Sequence, residues 1–233
     1  MNETNQQGYF IHRQINSESY YNYKLPEYIS QRLPLNKNAN IFDYGCGYGQ
    51  IISAIQRAGY NNVTCYDIEP SCIAHCKNNG LNIITSDSLY KIEEGYYDFI
   101  IVSHVLEHIP KDKIISTLNQ IKRLLSKDGQ LLVCVPNAQS NTGCYWAYED
   151  FTHNTIFTSG SLYYVLSKSG YTHIEFIDLD CTEGMQGWRK IFRTIMLGIY
   201  KFNYKFWNWV TGSSTHKPSQ DIFTYEIKAI ARK

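Results

Sequence analysis

The fold is decided by Phe42-Asp-Tyr-Gly-Cys-Gly-Tyr-Gly-Gln50. It begins within a short apolar segment, residues 39–44, and is followed by residues 51–55, whose apolar side chains recur at helical spacing. Glycine has no side chain, so Gly45, Gly47 and Gly49 leave the backbone bare where a ligand approaches closely. The pattern predicts a strand, a glycine-rich turn and a helix that bind a nucleotide-like cofactor.

The glycine spacing and the acid before it narrow the choice of cofactor. The spacing is Gly-x-Gly-x-Gly, whereas dinucleotide-binding turns carry Gly-x-Gly-x-x-Gly. Asp43 would repel a pyrophosphate, but its carboxylate can accept a hydrogen bond from a cationic ammonium group. Both features favour a cofactor with positive charge and no phosphates, which describes S-adenosylmethionine.

Two further acidic positions follow predicted strands. Asp67 ends the segment 62–67, where α/β nucleotide folds place a carboxylate that binds the ribose hydroxyls. Ser86 and Asp87 follow the next strand, within reach of an adenine amino group. Together with Asp43, these groups are expected along one edge of one sheet.

Strands and helices alternate along the chain, which predicts an α/β fold with a parallel sheet and helices on both faces. Helical patterns cover residues 18–34, 49–58, 70–79, 111–126 and 161–169, and strands lie near 40–44, 62–67, 82–85, 97–102, 130–136, 171–179 and 222–231.

The chain resembles the class I S-adenosylmethionine-dependent methyltransferases. The resemblance rests on Asp43–Gly49, Asp67, Ser86-Asp87 and the run Tyr97–Ile109, in the order and spacing of that family. It implies a Rossmann-like, seven-stranded, mostly parallel sheet whose last two strands form an antiparallel hairpin edge. S-adenosylhomocysteine would be the product of the cofactor.

We predict a single methyltransferase domain, residues 1–233. It comprises an N-terminal helical cap (1–38), a cofactor-binding half (39–137) and an acceptor-side half (138–233) with an aromatic, basic insertion at 182–220. The predicted cofactor-binding residues are Asp43, Gly45, Cys46, Gly47, Gly49, Asp67, Ile68, Ser86, Asp87 and Ser103.

Three polar residues after the fourth strand are candidates for catalysis. His104, Glu107 and His108 fall at i, i+3 and i+4, and Pro110 disfavours a longer helix, so they occupy a short turn over the sheet edge. His108 is the first choice of general base and His104 another. The three residues could instead bind a divalent metal, since some quinone-pathway and RNA-end methyltransferases use a similar Glu-x-x-Glu-His run. A third interpretation is that Glu107 and His108 only cap the turn.

A second polar cluster follows the fifth strand. His153 is the second choice of base, with Asp150 as the carboxylate that orients it, although this segment could also be a helix N-cap. The Asp-x-x-His loop and the segment 157–162 resemble methyltransferases of bacterial capsule and other surface-polysaccharide pathways. That resemblance implies a hydroxyl of a nucleotide-linked or lipid-linked sugar as acceptor. The alternatives are O-methylation of a quinone precursor or other small aromatic, and an inactive cofactor-binding partner subunit.

Composition restricts the partners and the compartment. The net charge of +1 and the lack of a long basic run argue against a nucleic-acid substrate. The seven cysteines contain no Cys-x-x-Cys pair, which favours reduced thiols over disulfides or zinc. The polar first residues do not resemble a signal peptide. We therefore expect a cytoplasmic protein.

The segment 188–210 differs from the rest of the chain because it holds five Lys/Arg, no acid and eight aromatic residues. Its longest uncharged run, Thr194–Tyr200, is too short to cross a bilayer. A lid over the acceptor site or a homodimer contact is favoured, and attachment to an anionic membrane surface is the alternative.

Overall fold

The computed structural model describes residues 22–233. The predicted helical pattern at 18–34 begins outside this range, and within the range it contributes one helical turn. The strands are β1 (Ile41–Tyr44), β2 (Val63–Tyr66), β3 (Ile83–Ile84), β4 (Tyr97–Ser103), β5 (Leu125–Pro136), β6 (Thr172–Ile177) and β7 (Glu226–Arg232). The helices are α1 (Glu27–Ser30), α2 (Gln50–Arg57), α3 (Pro70–Asn78), α4 (Ser86–Leu89), α5 (Lys111–Leu124), α6 (Gly143–Glu149), α7 (Ser159–Lys168) and α8 (Gly187–Thr211), with a 3-10 turn at Leu106–His108.

The seven strands form one sheet in the order β3-β2-β1-β4-β5-β7-β6. The first five strands are parallel, whereas β7 runs antiparallel to both β5 and β6. The Rossmann-like fold with an antiparallel C-terminal edge is therefore confirmed. Strand order reverses between β1 and β4, and in open α/β sheets the crevice at such a reversal is where ligands bind.

Successive residues of each strand pack on opposite faces of the sheet. In β1, Ile41 belongs to one buried cluster and Phe42 to the other, as the two-residue period of a strand requires. The Phe42 cluster includes buried residues of α5 and α7, and the Ile41 cluster includes those of α2. Helices thus cover both faces of the sheet, and the ends of the strands remain as its open edge.

Several boundaries differ from the prediction, and the last strand, β7, begins at Glu226, four residues after its predicted start. The fifth strand begins at Leu125, five residues before the predicted start, because α5 ends at Leu124 and Leu125 pairs with Tyr97. The register then shifts before Phe99 pairs with Gln130, so an irregular stretch precedes the regular ladder. The region after β5, predicted as a loop, contains helix α6, whose N-terminal Gly143 is buried against Ala138.

The aromatic, basic segment forms helix α8 between β6 and β7, and its residues are half-buried or exposed. Its contacts with the body include a hydrogen bond from Arg193 Nε to the Asp180 carbonyl and a tilted ring contact between Tyr204 and Phe223, with ring centroids 4.5 Å apart. None of the helices formed by residues 22–233 combines the length and apolar character needed to cross a bilayer.

Candidate active site

A cavity of about 1670 Å³ opens at the carboxyl ends of β1, β2 and β4 within the described residues. Small-molecule sites usually measure roughly 300–1000 Å³, so this space can hold a cofactor and an acceptor together. Its walls come from the glycine turn, from the ends of β2 and β4, from α5 and from the segments around β6 and β7.

The glycine turn is shaped so that the main chain lines the cavity. Gly45 and Gly47 have φ values of 83° and 55°, which L side chains rarely adopt. A Cβ at Gly45 would lie 2.3 Å from Val105 Cγ2, so the close approach of the turn to the end of β4 also requires glycine. The backbone N–H of Gly47 donates a hydrogen bond to Asp67 Oδ2 at 2.7 Å.

Two carboxyl groups face this turn, Asp43, which is buried, and Asp67, which is half-buried. Asp43 is 1% exposed, and among the described residues its Oδ2 has no hydrogen-bond donor. Burial, together with the nearby Asp67 and Cys76, raises the pKa of Asp43 to about 8. A cationic ammonium at this position would supply the missing donor and favour the ionised carboxylate. The residues present therefore fit a cationic cofactor.

Asp67 is held by the backbone on two sides. Its Oδ2 accepts from Gly47 and its Oδ1 accepts from the N–H of Glu69 at 2.9 Å. Burial raises the pKa of Asp67, whereas these backbone hydrogen bonds oppose the rise. The carboxylate is thus fixed in the cavity wall beside the glycine turn.

Most of the predicted cofactor-binding residues lie in the cavity wall. Those that line it are Asp43, Gly45, Cys46, Gly47, Asp67, Ile68, Ser86 and Ser103. Gly49 is not among the lining residues; its left-handed backbone, with φ of 79°, starts α2 instead. Asp87 is exposed and also lies outside the wall, so its contact with adenine stays a prediction. Tyr44, Tyr66 and Tyr90 line the cavity without having been predicted.

His104 lies at the end of β4 between two carboxylates. Its Nε2 is 2.9 Å from Glu226 Oε1, and its Nδ1 is 3.3 Å from Glu107 Oε1. The backbone φ is 55°, an uncommon value for histidine that is associated with functional sites. Burial alone lowers the pKa of His104, but its contacts with Cys134, Glu107 and Glu226 raise it well above the ordinary value. The raised pKa favours the protonated form of His104, which has no lone pair to accept a proton.

His108 has the opposite electrostatic environment. Burial lowers the pKa of His108 below its ordinary value of 6.5, and the charge of Glu107 opposes this only in part. Its Nδ1 is 2.8 Å from Thr152 Oγ1, and the Thr152 hydroxyl donates to Asp150 Oδ1 at 2.6 Å. Because that hydroxyl has one proton, it must accept from His108 Nδ1, which leaves the lone pair of the imidazole on Nε2.

Asp150 therefore orients His108 through Thr152, whereas the sequence suggested that it orients His153. His153 Nε2 is 3.7 Å from Asp150 Oδ2, and its Nδ1 donates to the Trp146 carbonyl at 2.6 Å. Among these groups only His108 lines the cavity; His153 lies behind it, with ring centroids 4.7 Å apart.

Glu107 is fully buried and does not line the cavity. Its backbone carbonyl accepts hydrogen bonds from the N–H groups of Asn154 and Thr155, which ties the 3-10 turn to the loop after α6. Candidate metal-ligand atoms of Glu107, His108 and His153 lie within 4.8 Å of one another, whereas those of His104 group with Cys134 and Glu226. The predicted set of His104, Glu107 and His108 is thus divided between two clusters, and a divalent metal stays a prediction.

The sequence did not reveal the acceptor-side wall contributed by β6 and β7. Lys228 Nζ is 2.8 Å from Asp178 Oδ2 and 3.5 Å from Glu226 Oε2, and all three residues line the cavity. Contact with Asp178 raises the pKa of Lys228 despite the opposing effect of burial. The available signal was the placement of two charged residues, Glu226 and Lys228, two positions apart in a predicted strand, which puts both on one face.

Comparison with known proteins identifies the family. A family model described as a methyltransferase domain matches residues 17–175. A ubiquinone biosynthesis O-methyltransferase of Xylella fastidiosa is 31% identical over 119 residues, which cover 48% of this chain and 47% of the relative. A probable polyketide synthase 7 of Dictyostelium discoideum is 34% identical over 116 residues, which cover 40% of this chain and 4% of that protein. The chain thus spans about half, or much less, of the curated relatives that it matches.

Solved structures share the fold at low sequence identity. A SAM-dependent methyltransferase from Archaeoglobus fulgidus superposes with a TM-score of 0.67 at 18% identity, covering 97% of this chain and 99% of that chain. A Haemonchus contortus phosphoethanolamine N-methyltransferase 2 in complex with S-adenosyl-L-methionine gives a TM-score of 0.62 at 13% identity, covering 97% and 59%. The chain belongs to the methyltransferase domain family and has the Rossmann-like fold of SAM-dependent methyltransferases.

Proposed function

We propose that this protein transfers a methyl group from S-adenosylmethionine to a hydroxyl of a small sugar-containing acceptor, with His108 as the general base. The observation that carries the proposal is the His108–Thr152–Asp150 relay at the cavity wall. A hydroxyl acceptor must lose its proton, and a neutral imidazole with a fixed tautomer can take it.

Asp43, Asp67 and the backbone of the glycine turn would hold the cofactor, whose sulfonium supplies the methyl group as an electrophile. Transfer of the methyl group from the sulfonium to the acceptor oxygen would leave S-adenosylhomocysteine. The hydroxyl proton passes to Nε2 of His108. The positive charge that develops on His108 is stabilised through Thr152 by Asp150, which is 4% exposed.

A sugar is the preferred acceptor because the acceptor-side wall is polar. Glu226, Lys228 and Tyr225 line it with hydrogen-bond donors and acceptors, and the ion pair of Lys228 with Asp178 keeps their positions fixed. Such directional groups suit an acceptor with several hydroxyls. Carriers of the sugar, either a nucleotide or a lipid, would extend from the mouth of the cavity.

A phenolic acceptor, such as a quinone precursor, is the second candidate. The match to the ubiquinone biosynthesis O-methyltransferase favours it, although that match covers less than half of this chain. Tyrosine rings in the cavity wall, including Tyr28, Tyr44 and Tyr90, could stack on an aromatic acceptor.

Mass spectrometry after incubation with S-adenosylmethionine tests the proposal, with sugar nucleotides in one panel and phenolic quinone precursors in the other. A sugar nucleotide heavier by one methylene group supports the proposal. Methylation confined to the phenolic panel would overturn the sugar acceptor and support the second candidate. An inactive partner subunit would bind S-adenosylhomocysteine but produce none with either panel.

The relay is tested separately with Thr152→Val and Thr152→Ser. Valine removes the hydroxyl that accepts from His108, so we expect kcat to fall roughly tenfold, whereas serine preserves the hydroxyl and most of the activity. The affinity for S-adenosylhomocysteine should stay within about twofold in both variants. Equal activity of the valine and serine variants would remove the relay from the mechanism.

A further inference from the structure

Helix α8 presents an apolar surface away from the body of the protein. Its half-buried positions are Arg193, Leu197, Tyr200, Lys201, Tyr204 and Asn208, which recur at helical spacing and so define the face that contacts the body. At 100° per residue, the opposite side carries exposed large apolar side chains over the whole length of the helix. They include Trp188, Ile195, Ile199, Phe202, Phe206 and Trp209.

This exposure is unusual for a protein surface. Phe202 is 74% exposed and Trp209 is 79% exposed, and they belong to one continuous stripe. Single exposed apolar residues are common, but a contiguous stripe of this length marks an interaction surface. Ile191 and Val210 are exposed at its edges and make it wider than the narrow seam of a two-stranded coiled coil.

The charges on α8 indicate the chemistry of the surface it contacts. The helix has five Lys/Arg residues and no acidic residue. Lys201 and Lys205 pair with Asp180 and Asp221 of the body, whereas Arg189 and Lys190 form no ion pair within residues 22–233. Two copies of this helix would bring like charges together, whereas an anionic surface would complement them.

We propose that α8 lies in the interface of an anionic phospholipid bilayer, with its apolar stripe among the acyl chains and its basic residues at the headgroups. A long amphipathic helix with aromatic residues on one face and cations beside them is the form that lies on membranes without crossing them. Trp188 and Trp209 lie at the two ends of the stripe, and tryptophan favours the headgroup region.

Attachment of α8 to a membrane would also orient the enzyme, because Arg193, on the inner face of the helix, lines the cavity. The helix would therefore hold the cavity close to the lipid surface. Membrane attachment itself does not depend on which acceptor is methylated.

Co-sedimentation with phosphatidylcholine vesicles, with and without phosphatidylglycerol, tests this inference on the full chain. We expect binding to increase with phosphatidylglycerol and to decrease as salt is raised. Ile195→Glu with Phe202→Glu should weaken the partition coefficient roughly tenfold or more, because two apolar side chains that would lie among the acyl chains are replaced by anions.

The matched control is Leu35→Glu with Tyr164→Glu, which adds the same charge at two other exposed apolar positions. This control should bind vesicles within about twofold of the unchanged protein. Circular dichroism and binding of S-adenosylhomocysteine establish that each variant is folded. Vesicle binding that both pairs weaken equally, or none at all, would overturn the inference. So would a dimer in sedimentation equilibrium that is lost only in the α8 variant.

Discussion

The two sides of the cavity are built in different ways. On the cofactor side, Asp43, Gly45, Gly47 and Asp67 come from 25 consecutive positions, 43–67, and are held mainly by backbone geometry. On the acceptor side, His104, Asp150 and Glu226 come from distant segments and are held by side-chain contacts. The cofactor side should therefore respond most to changes of backbone conformation, and the acceptor side to loss of single functional groups.

The largest expected effect is the loss of the base on the acceptor side. His108→Gln keeps a polar side chain but removes the proton acceptor, so kcat should fall roughly 10²- to 10⁴-fold. The affinity for S-adenosylhomocysteine, measured by calorimetry, should stay within about twofold because the cofactor side is unchanged. His153→Gln is the matched control. A larger loss in His153→Gln than in His108→Gln would show that the base is misassigned.

The pH profile gives an independent measure of the same group. Because the pKa of His108 is lowered, its imidazole stays neutral until the pH falls below 6.5. The acid limb of kcat, measured with saturating cofactor so that Asp43 is already ionised, should therefore have its midpoint below 6.5. A limb well above that value would instead report a group with a raised pKa, such as His104.

On the cofactor side, Gly45→Ala should be a damaging change of the backbone. Gly45 and Gly59 have similar φ values, 83° and 90°, but a Cβ at Gly45 meets Val105 Cγ2 at 2.3 Å, whereas one at Gly59 meets nothing within 4 Å. Gly59→Ala should lower the free energy of unfolding by about 1–2 kcal/mol through backbone strain alone. Gly45→Ala should cost about 1–3 kcal/mol more.

Urea denaturation measures the unfolding free energies of both variants. A second substitution isolates the contribution of the steric clash. Gly45→Ala combined with Val105→Ala should be less destabilised than the sum of the two single variants, since the clashing methyl groups are gone. Strict additivity of the two changes would mean that the close approach of the turn to β4 is not what requires glycine at Gly45.

A smaller effect is expected from removing a single carboxylate on the cofactor side. Asp67→Ala removes a charged hydrogen-bond acceptor, so affinity for S-adenosylhomocysteine should weaken roughly ten- to hundredfold. Asp128→Ala, a change of an exposed acid on β5, should leave the dissociation constant within about twofold. An unchanged constant in Asp67→Ala would remove Asp67 from the cofactor site.

The difference between the two sides also explains what could be predicted from the sequence. The glycine turn and Asp67 were found because adjacent residues carry the whole signal: a short strand, glycines at fixed spacing and an acid at the next strand end. The same local logic gave the alternation of strands and helices, whereas the antiparallel edge was implied by the resemblance to the methyltransferase family. The acceptor side has no comparable local signal, because Glu226 meets His104 only after the sheet brings together residues 122 positions apart.

Local patterns were incomplete where a side chain has two partners. The spacing of Asp150 and His153 suggested a direct pair, and the two side chains approach to 3.7 Å, but Asp150 makes its shorter contact with the Thr152 hydroxyl, which links it to His108. Nothing in the sequence indicated this role for Thr152, since threonine is common in loops. The start of β5 was misplaced for a similar reason, because pairing of Leu125 with Tyr97 outweighed the helical pattern that continues to residue 126.

The smallest expected effect concerns the pair that links β4 to β7. Burial alone raises the pKa of Glu226, but its hydrogen bond to His104 and the charge of His104 lower it below 4.5. This contribution to stability is present above 4.5 and is lost as the pH falls through the lowered value. The raised pKa of His104 acts in the opposite sense: its contribution is complete below 6.5 and is lost as the pH rises through the raised value.

The stability supplied by the pair should therefore be greatest between about pH 4.5 and 6.5. Because His104 is 43% exposed, solvent screening limits the effect of Glu226→Gln to about 0.5–1 kcal/mol of unfolding free energy. Urea denaturation across this range, with Glu94→Gln as an exposed control, measures it. A loss that is the same at every pH would mean that Glu226 acts through packing and its contact with Lys228. In that case Lys228, Asp178 and Glu226 would hold the acceptor side together, and His104 would lie beside them without stabilising them.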